Sequence, residues 1–351
     1  MNATLPKQYR RVVLASRPAG EPGEDNFRVE TVAMPEPGAD QLLVRGIYLS
    51  LDPYMRGRMR DAASYANPVA IGEVMGGGLV GEVVRSNHPG FAAGDIVEGL
   101  LGWQEYAITG GHAVRKVDPS LAPISTANGI LGMPGMTAWF GLYEIGQPKA
   151  GETVVVSAAS GAVGQVVGQL AKLSGCRVVG VAGGARKCGY VRDELGFDTC
   201  VDYKGEADLG AALARACPNG IDVYFDNVGG AVYDAVLPLL NFWSRITLCG
   251  QISGYNAESV QTGPRLTMLM VGRRITQRGF IVSDFAARYD GARRIMGEHV
   301  RAGRLRFRED IVDGLENAPR AFIGLLRGEN FGKLQVRVGA EPASLPHPAQ
   351  G

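Results

Sequence analysis

Residues 153–173 read TVVVSAASGAVGQVVGQLAKL, an apolar strand that runs directly into glycines and then into helical periodicity. Few folds need all three at one point. A strand without polar alternation is covered on both faces, as in parallel sheets flanked by helices. Beyond the turn, Val163, Val166, Val167, Leu170 and Ala171 follow the i, i+3, i+4, i+7, i+8 spacing of one buried helical face. Gly161 and Gly164 leave the turn without side chains, so a pyrophosphate can approach backbone amides and the positive end of the helix dipole. Gly164 and Gly168, four apart, are expected to let the helix lie close on the strand. The pattern is AxxGxxG, with Ala158 where the commoner dinucleotide fingerprint has its first glycine. A tight βα turn with no ligand has the same local sequence, so the surroundings must decide.

Those surroundings are strand-then-helix units. From Thr137, TAWFGLYEIG reads as a helix; TVVVSAA, RVVGVAG, IDVYFDN and RITLCGQ read as strands, with RKCGYVRDEL and AVYDAVLPLL as helices between them. This alternation argues for βαβ units on a parallel sheet and favours the dinucleotide site. The first 130 residues differ. There RRVVLAS, FRVETVAM, QLLVRGIYLSL and GLVGEVVRS are short β-rich runs separated by turn chemistry, as in a mostly antiparallel β domain. From Leu305 short strands return around REDIVDGLENAPRAFIGLLRG, a helix-bearing stretch, and end in GKLQVRV. The expected α/β architecture is a β domain over 1–130, a doubly wound parallel-sheet domain over 131–304, a return segment over 305–340 that completes the first domain, and a frayed, proline-rich tail over 341–351.

Composition narrows the function classes. The 351 residues carry a formal net charge of +1 with mixed signs, so the basic stripe of a nucleic-acid binder is missing. No apolar run reaches the roughly 18 residues of a membrane span, and no membrane partner is expected. The opening MNATLPKQYRRVVLASRP lacks the apolar stretch of a signal peptide, which leaves the cytoplasm as the expected location. Cys176, Cys188, Cys200, Cys217 and Cys249 are odd in number, never spaced CxxC, and read as reduced thiols. His88, His112, His299 and His347 fall in no ligand spacing with cysteine or acid, so no metal is expected.

The strand RVVGVAG distinguishes between dinucleotides. An NAD-binding chain usually places Asp or Glu near its end, on the adenosine ribose hydroxyls. Here Gly183 and Gly184 stand there, followed by Arg186 and Lys187, so a 2′-phosphate meets positive charge and no carboxylate. NADP(H) is the expected cofactor. The alternative, two ordinary solvated cations, puts them in the first turn of a helix, where the dipole disfavours them.

The stretches YLSLDPYMRGRM (48–59), LGMPGMTAWFGL (131–142), AASGAVGQVVGQLAK (158–172), VDYK (201–204), YFDNVGG (224–230), CGQISGYN (249–256), RGFIV (278–282) and ENFGKLQV (329–336) fall in order across nearly the whole chain. Together they resemble the zinc-independent medium-chain dehydrogenases/reductases, and within them the branch of prostaglandin reductases, leukotriene B4 12-hydroxydehydrogenases and alkenal double-bond reductases. The resemblance implies a GroES-like β domain and a Rossmann domain with NADPH in the cleft between them, and a homodimer joined at the sheet edges of two Rossmann domains. Zinc-using cousins carry GHE where this chain has IGEVMGGG, with Gly72 and Glu73 but no histidine. The resemblance also implies cofactor contacts. Met136 and Thr137 lie on the nicotinamide side, Gly161, Ala162, Val163 and Gly164 at the pyrophosphate, and Lys187 and Tyr203 at the 2′-phosphate. Asn227 lies under the cofactor, and Cys249, Ile252, Ser253 and Tyr255 follow the next strand. Phe280, Ile281 and Val282 flank the nicotinamide, and Asn330 closes the site from the return segment.

With no metal ligands and no serine–histidine pair in view, the expected chemistry is hydride transfer with modest polar help. Reduction of a carbon–carbon double bond conjugated to a carbonyl fits: hydride goes to the β carbon, charge develops on the carbonyl oxygen, and a proton completes the α carbon. The expected partner is a small-molecule enone. Tyr255 in ISGYN is the candidate donor to that oxygen, against packing alone; its hydroxyl suits hydrogen-bond donation better than rapid proton delivery. Tyr54 in LDPYMR is the candidate pocket aromatic, with packing on the β domain's core as its alternative. Arg56 and Arg58 read either as attraction for a substrate carboxylate or as solvated or ion-paired surface arginines, Asp52 as the start of a turn with Pro53, and the cysteines as core fillers. Two other functions compete: an NADPH quinone reductase, from which LDPYMR and ISGYN point away, and a non-catalytic NADPH sensor.

Overall fold

β-Branched runs separated by turns build the first part of the chain. β1 (Gln8–Leu14) pairs antiparallel with β2 (Phe27–Ala33). β3 (Gln41–Ser50) is followed by the single turn α1 (Met55–Arg58), then by β4 (Leu79–Ser86), β5 (Ile96–Gly99), β6 (Tyr106–Gly110) and β7 (Val114–Lys116). In the computed structural model, which describes residues 5–62, 64–343 and 345, contacts divide the chain into two units. One comprises Met1–Gly129, Glu309–Asn330 and Leu334–Gly351, the other Ile130–Arg308 and Phe331–Lys333.

The second unit alternates strands and helices throughout. α2 (Met133–Phe140) continues as a π-helical turn over Gly141–Gly146. Then come β8 (Thr153–Ser157), α3 (Gly164–Leu173), β9 (Arg177–Ala182), α4 (Ala185–Gly189), β10 (Thr199–Asp202), α5 (Leu209–Ala216), β11 (Ile221–Asp226), α6 (Gly230–Val236), β12 (Leu240–Leu248), α7 (Thr267–Arg273), β13 (Thr276–Gly279) and α8 (Tyr289–Arg301). The sheet is parallel in the order β10-β9-β8-β11-β12-β13, so chain direction across it reverses between β8 and β11. Ligands of doubly wound sheets bind beyond the carboxyl ends of the strands at such a reversal. All five residues of β8 are buried, which is why the sequence there shows no polar alternation.

Beyond Arg308 the chain re-enters the first unit as β14 (Glu309–Asp313), α9 (Ala318–Leu326) and β15 (Lys333–Arg337). β15 pairs antiparallel with β3, giving a sheet ordered β14-β15-β3-β4-β5-β7, with β6 also on β3. The core beneath holds Val12, Leu14, Leu42, Leu49 and a fully buried Trp103, on which Phe27 stacks at 5.6 Å. The crossing point falls after Arg308 rather than at Leu305, and two buried glutamines of α3 explain it. Gln169 exchanges bonds with the backbone of Arg306, donating at 2.8 Å and accepting at 2.8 Å, while Gln165 accepts from the N–H of Arg308 at 3.0 Å. The expected frayed tail, 341–351, lies largely outside the described residues. No helix among the described residues is long and apolar enough to cross a membrane.

The two spaced glycines of α3 do different jobs. A Cβ on Gly164 would lie 2.3 Å from the Ala158 carbonyl oxygen, so this glycine does bring the helix onto the end of β8. On Gly168 it would lie 1.8 Å from Cζ of Phe197, a ring in the loop before β10. The expectation that Gly168 serves the strand contact is therefore corrected: it makes room for an aromatic side chain. Gly168→Ala should lower stability by about 1–3 kcal/mol, the usual cost of overpacking. In urea denaturation the double variant Gly168→Ala/Phe197→Leu should lose less than the sum of the single losses, because both act on one contact.

Candidate cofactor and active site

The glycine turn sits at the carboxyl end of β8. Ala158 has φ 49°, a left-handed conformation that costs a non-glycine residue roughly 1–2 kcal/mol, which explains why the commoner fingerprint uses glycine there. The Gly161 N–H donates to the Ala158 carbonyl at 2.9 Å, and Gly161 bridges in parallel to Gly332. A Cβ on Gly161 would meet only that carbonyl oxygen, at 3.2 Å, so the mouth of the turn is otherwise unfilled. Ala162 and Val163 lead into the first turn of α3, whose amides lack intrahelical acceptors and can receive a pyrophosphate.

At the end of β9, Gly183 lies under Tyr203: a Cβ there would be 3.0 Å from the tyrosine hydroxyl oxygen. Lys187 is half-buried in α4 and Tyr203 is exposed, so both expected 2′-phosphate residues belong to neighbouring strand ends. Sequence reasoning missed Asp202, the last residue of β10. Its carboxylate accepts from the N–H of Gly184 at 2.7 Å and of Lys204 at 3.0 Å, and these bonds, Gly184's first, hold it below the usual carboxylate range. The acid is thus occupied by its own loops.

The ends of β8, β11 and β12 meet around Asp226, which is 1% exposed. One carboxylate oxygen accepts from the hydroxyls of Ser157 (2.9 Å) and Tyr224 (2.7 Å) and from the N–H groups of Val228 and Gly229 (both 3.0 Å). Burial, then the Asp226 charge, pushes the Tyr224 hydroxyl well above its ordinary value. Asn227 donates its N–H to the Ser157 hydroxyl oxygen (2.8 Å) and its side-chain amide to the Ser157 carbonyl (2.7 Å). Its side chain therefore braces the strand ends.

Main-chain bonds then fix the loop after β12. Cys249 donates to Asp226, Ile252 to Asn227 and Ser253 to Val228, and the Ser253 hydroxyl adds a bond to the Val228 carbonyl at 2.6 Å. Tyr255, half-buried, folds back so that its hydroxyl oxygen accepts from the Gln251 N–H at 3.4 Å. Beyond β13, the Phe280 ring packs where a Cβ on Gly141 would stand, 2.7 Å away; Ile281 and Val282 follow, half-buried. In α2, Met136 is wholly buried and the Thr137 hydroxyl donates to the Met133 carbonyl at 2.8 Å. Asn330, half-buried, closes the first unit's return segment just before Phe331.

Within the first unit, Tyr54 packs partly against the core, and burial, with the nearby Asp52 charge, raises its hydroxyl. The Asp52 carbonyl and Pro53 carbonyl accept from Met55 and Arg56, so the Asp-Pro pair does start the turn; the buried Asp52 carboxylate also accepts from the Ser50 hydroxyl. Both readings of Arg56 are corrected: it is 1% exposed, its guanidinium donating to the Gly20 carbonyl at 2.5 Å, and burial lowers it to about 10. Arg58 lies over the rings of Tyr54 and Tyr65, at 5.8 and 4.8 Å. Burial pushes the Cys176 and Cys217 thiols up to about 11 and the Cys249 thiol up to about 12, while a hydrogen bond with Cys188, then burial, raises Cys200.

Residues 10–117 match the family described as the N-terminal domain of oxidoreductase, and residues 162–297 that described as zinc-binding dehydrogenase. Among the described residues, no three His, Cys, Asp or Glu side chains are grouped to hold a metal ion. It is 53% identical over 340 residues to the NADPH-dependent curcumin reductase of Escherichia coli (strain K12), covering 95% of this chain and 98% of that one. It is 44% identical over 338 residues to the 2-alkenal reductase (NADP(+)-dependent) of Nicotiana tabacum, with coverages of 95% and 98%. The crystal structure of CurA from Vibrio vulnificus in complex with NADPH matches with a TM-score of 0.90 at 50% identity, over 95% of this chain and 100% of that one. The unfilled glycine turn, the end of β9 without an NAD-type acid and this likeness over 95% of the chain converge on one cofactor, NADPH. The chain belongs to the zinc-independent medium-chain dehydrogenases/reductases, in the branch of the alkenal and prostaglandin reductases, and is an NADP-dependent oxidoreductase.

Proposed function

We propose that the chain reduces the carbon–carbon double bond of small α,β-unsaturated ketones or aldehydes. The observation that carries this reading is the placement of Tyr255 on the loop pinned to Asp226, at the carboxyl end of the sheet where the cofactor's reacting end belongs. Its hydroxyl oxygen accepts from the Gln251 N–H at 3.4 Å, which sets where the hydroxyl stands on that loop. The hydrogen serves to donate to a carbonyl oxygen as negative charge builds there, the step at which a preorganised donor gains most. NADPH, when bound, supplies hydride for the β carbon. The glycine turn at Gly161–Gly164 holds the pyrophosphate, Lys187 and Tyr203 hold the 2′-phosphate, and Tyr54 lines the substrate side. Water delivers the proton to the α carbon. Curcumin and 2-alkenals, the compounds named for two relatives, share a double bond conjugated to a carbonyl, which supports the substrate class.

The same reading includes pairing of two copies through the β13 edge. Between Ile221 and Val223 of β11 the partner register jumps from Leu240 to Arg245, so β12 bulges and Trp243 takes φ 65°. Such strain in a bulky residue costs on the order of 1–3 kcal/mol and persists where something uses it. Here it leaves Phe242 and Trp243 exposed, as are Met268 and Val271 of α7, on the edge side of the sheet. An exposed apolar group beside an unpaired strand edge suits a second copy of itself.

Loss of NADPH absorbance with a linear 2-alkenone, measured beside NADH and a quinone, should show turnover of the alkenone with NADPH preferred. Tyr255→Phe should lower kcat by about 10²-fold, the cost of one such donor. Turnover of the quinone alone would move the chain to quinone reduction, and NADPH binding without turnover would make it a sensor. In light scattering the native chain should have the mass of a dimer and Trp243→Glu that of a monomer; a native monomer would remove the pairing.

A further inference from the structure

Two arginines lie over one aromatic ring in the second unit. The guanidinium carbon of Arg308 is 4.2 Å from the centroid of the Phe331 ring and that of Arg186 is 5.0 Å from it, while Tyr190 meets the ring edge-on at 5.0 Å. Two like charges on a shared platform repel each other, and a nearby carboxylate would relieve the repulsion. Here no carboxylate of a described residue is ion-paired with either arginine. Nε of Arg308 is, moreover, buried without a hydrogen-bond acceptor.

The position of Arg308 is nevertheless tightly fixed. Its N–H donates to the side-chain oxygen of Gln165, which also accepts from the Tyr190 hydroxyl at 2.9 Å, and its carbonyl accepts from the Lys333 N–H at 2.9 Å. Gln165 is the second residue of α3, one turn from the pyrophosphate loop, and Gly332, next to Phe331, bridges to Gly161 of that loop. Arg186 stands two residues beyond Gly184, where the adenosine ribose belongs. Two guanidiniums against one ring beside that point, with no carboxylate of a described residue paired to either, suit a dianion. A ribose 2′-phosphate carries about −1.5 to −2 charges and offers oxygens suited to planar, forked donors.

We propose that Arg308, acting with Arg186 across the Phe331 ring, is a specificity-determining residue for NADPH over NADH and binds the 2′-phosphate. Phe331 is the platform that both guanidiniums share. This assignment is independent of which substrate receives the hydride.

The test uses the intact chain and two readouts. In steady-state kinetics Arg308→Gln should raise the KM for NADPH about tenfold, leaving kcat with NADPH and the KM for NADH unchanged. In calorimetry, which needs no turnover, the same variant should bind adenosine 2′-monophosphate about tenfold more weakly than the native protein. Arg308→Lys keeps the charge without the fork and should recover part of the loss; it also decides the matter if Arg308→Gln does not fold. Equal losses for NADPH and NADH would mean that the arginine serves the pyrophosphate or the scaffold. That result, or undiminished binding of adenosine 2′-monophosphate by either variant, would overturn the assignment.

Discussion

The buried carboxylate of Asp226 is the point on which the site's geometry rests. A carboxyl side chain in a low-dielectric interior is tolerable only when it is hydrogen-bonded, and the donors to this one come from β8, from β11 and from the loop that follows it. Because the Ser157 hydroxyl both donates to Asp226 and accepts from Asn227, the two strands flanking the chain reversal are locked at their last residues. The loop bearing Tyr255 hangs from the carbonyls of the same short stretch, residues 226–228. The Asp226 carboxylate therefore ties the ends of β8 and β11 to the loop after β11, while its backbone carbonyl holds the residue after β12.

Selection of the phosphorylated dinucleotide follows from how charge is distributed around that scaffold. The end of β9 carries no acid, and the acid that does stand nearby, Asp202, spends an oxygen on the Gly184 and Lys204 amides. Arg186 of α4 and Arg308 of the segment strapped to α3 share the Phe331 ring. Other arginines are spent on carboxylates, as in the forked contacts of Arg245 with Glu152 and Arg10 with Glu105. The contrast separates arginines spent on structure from those held in reserve.

Much of this architecture was legible in the sequence, because fully buried strands followed by amphipathic helices leave a one-dimensional signature. The glycine turn, the parallel sheet and the reductase branch were all readable in that way. Side-chain pairings distant along the chain were not. Nothing local announces that Phe197 occupies the space above Gly168, that Gln165 and Gln169 carry the second unit on to Arg308, or that Arg56 turns inward to the carbonyl of Gly20. The bulge in β12 escaped notice because an apolar run such as LNFWSRITL has the same composition whether its tryptophan faces a core or solvent. The role of Asp202 was not legible because it depends on amides of Gly184 and Lys204, which only the folded strand ends bring to it.

The cysteines give the molecule a property that concerns what it meets rather than how it folds. Thiolates, not thiols, attack electrophilic carbon, and four of the five sulfurs are held towards the protonated form by burial or a neighbouring thiol. Conjugated carbonyl compounds alkylate exposed thiolates. Under the proposed function, the raised Cys249 thiol just beyond β12 stays chemically quiet, so a bound electrophile meets hydride before it meets a nucleophile that would retain it.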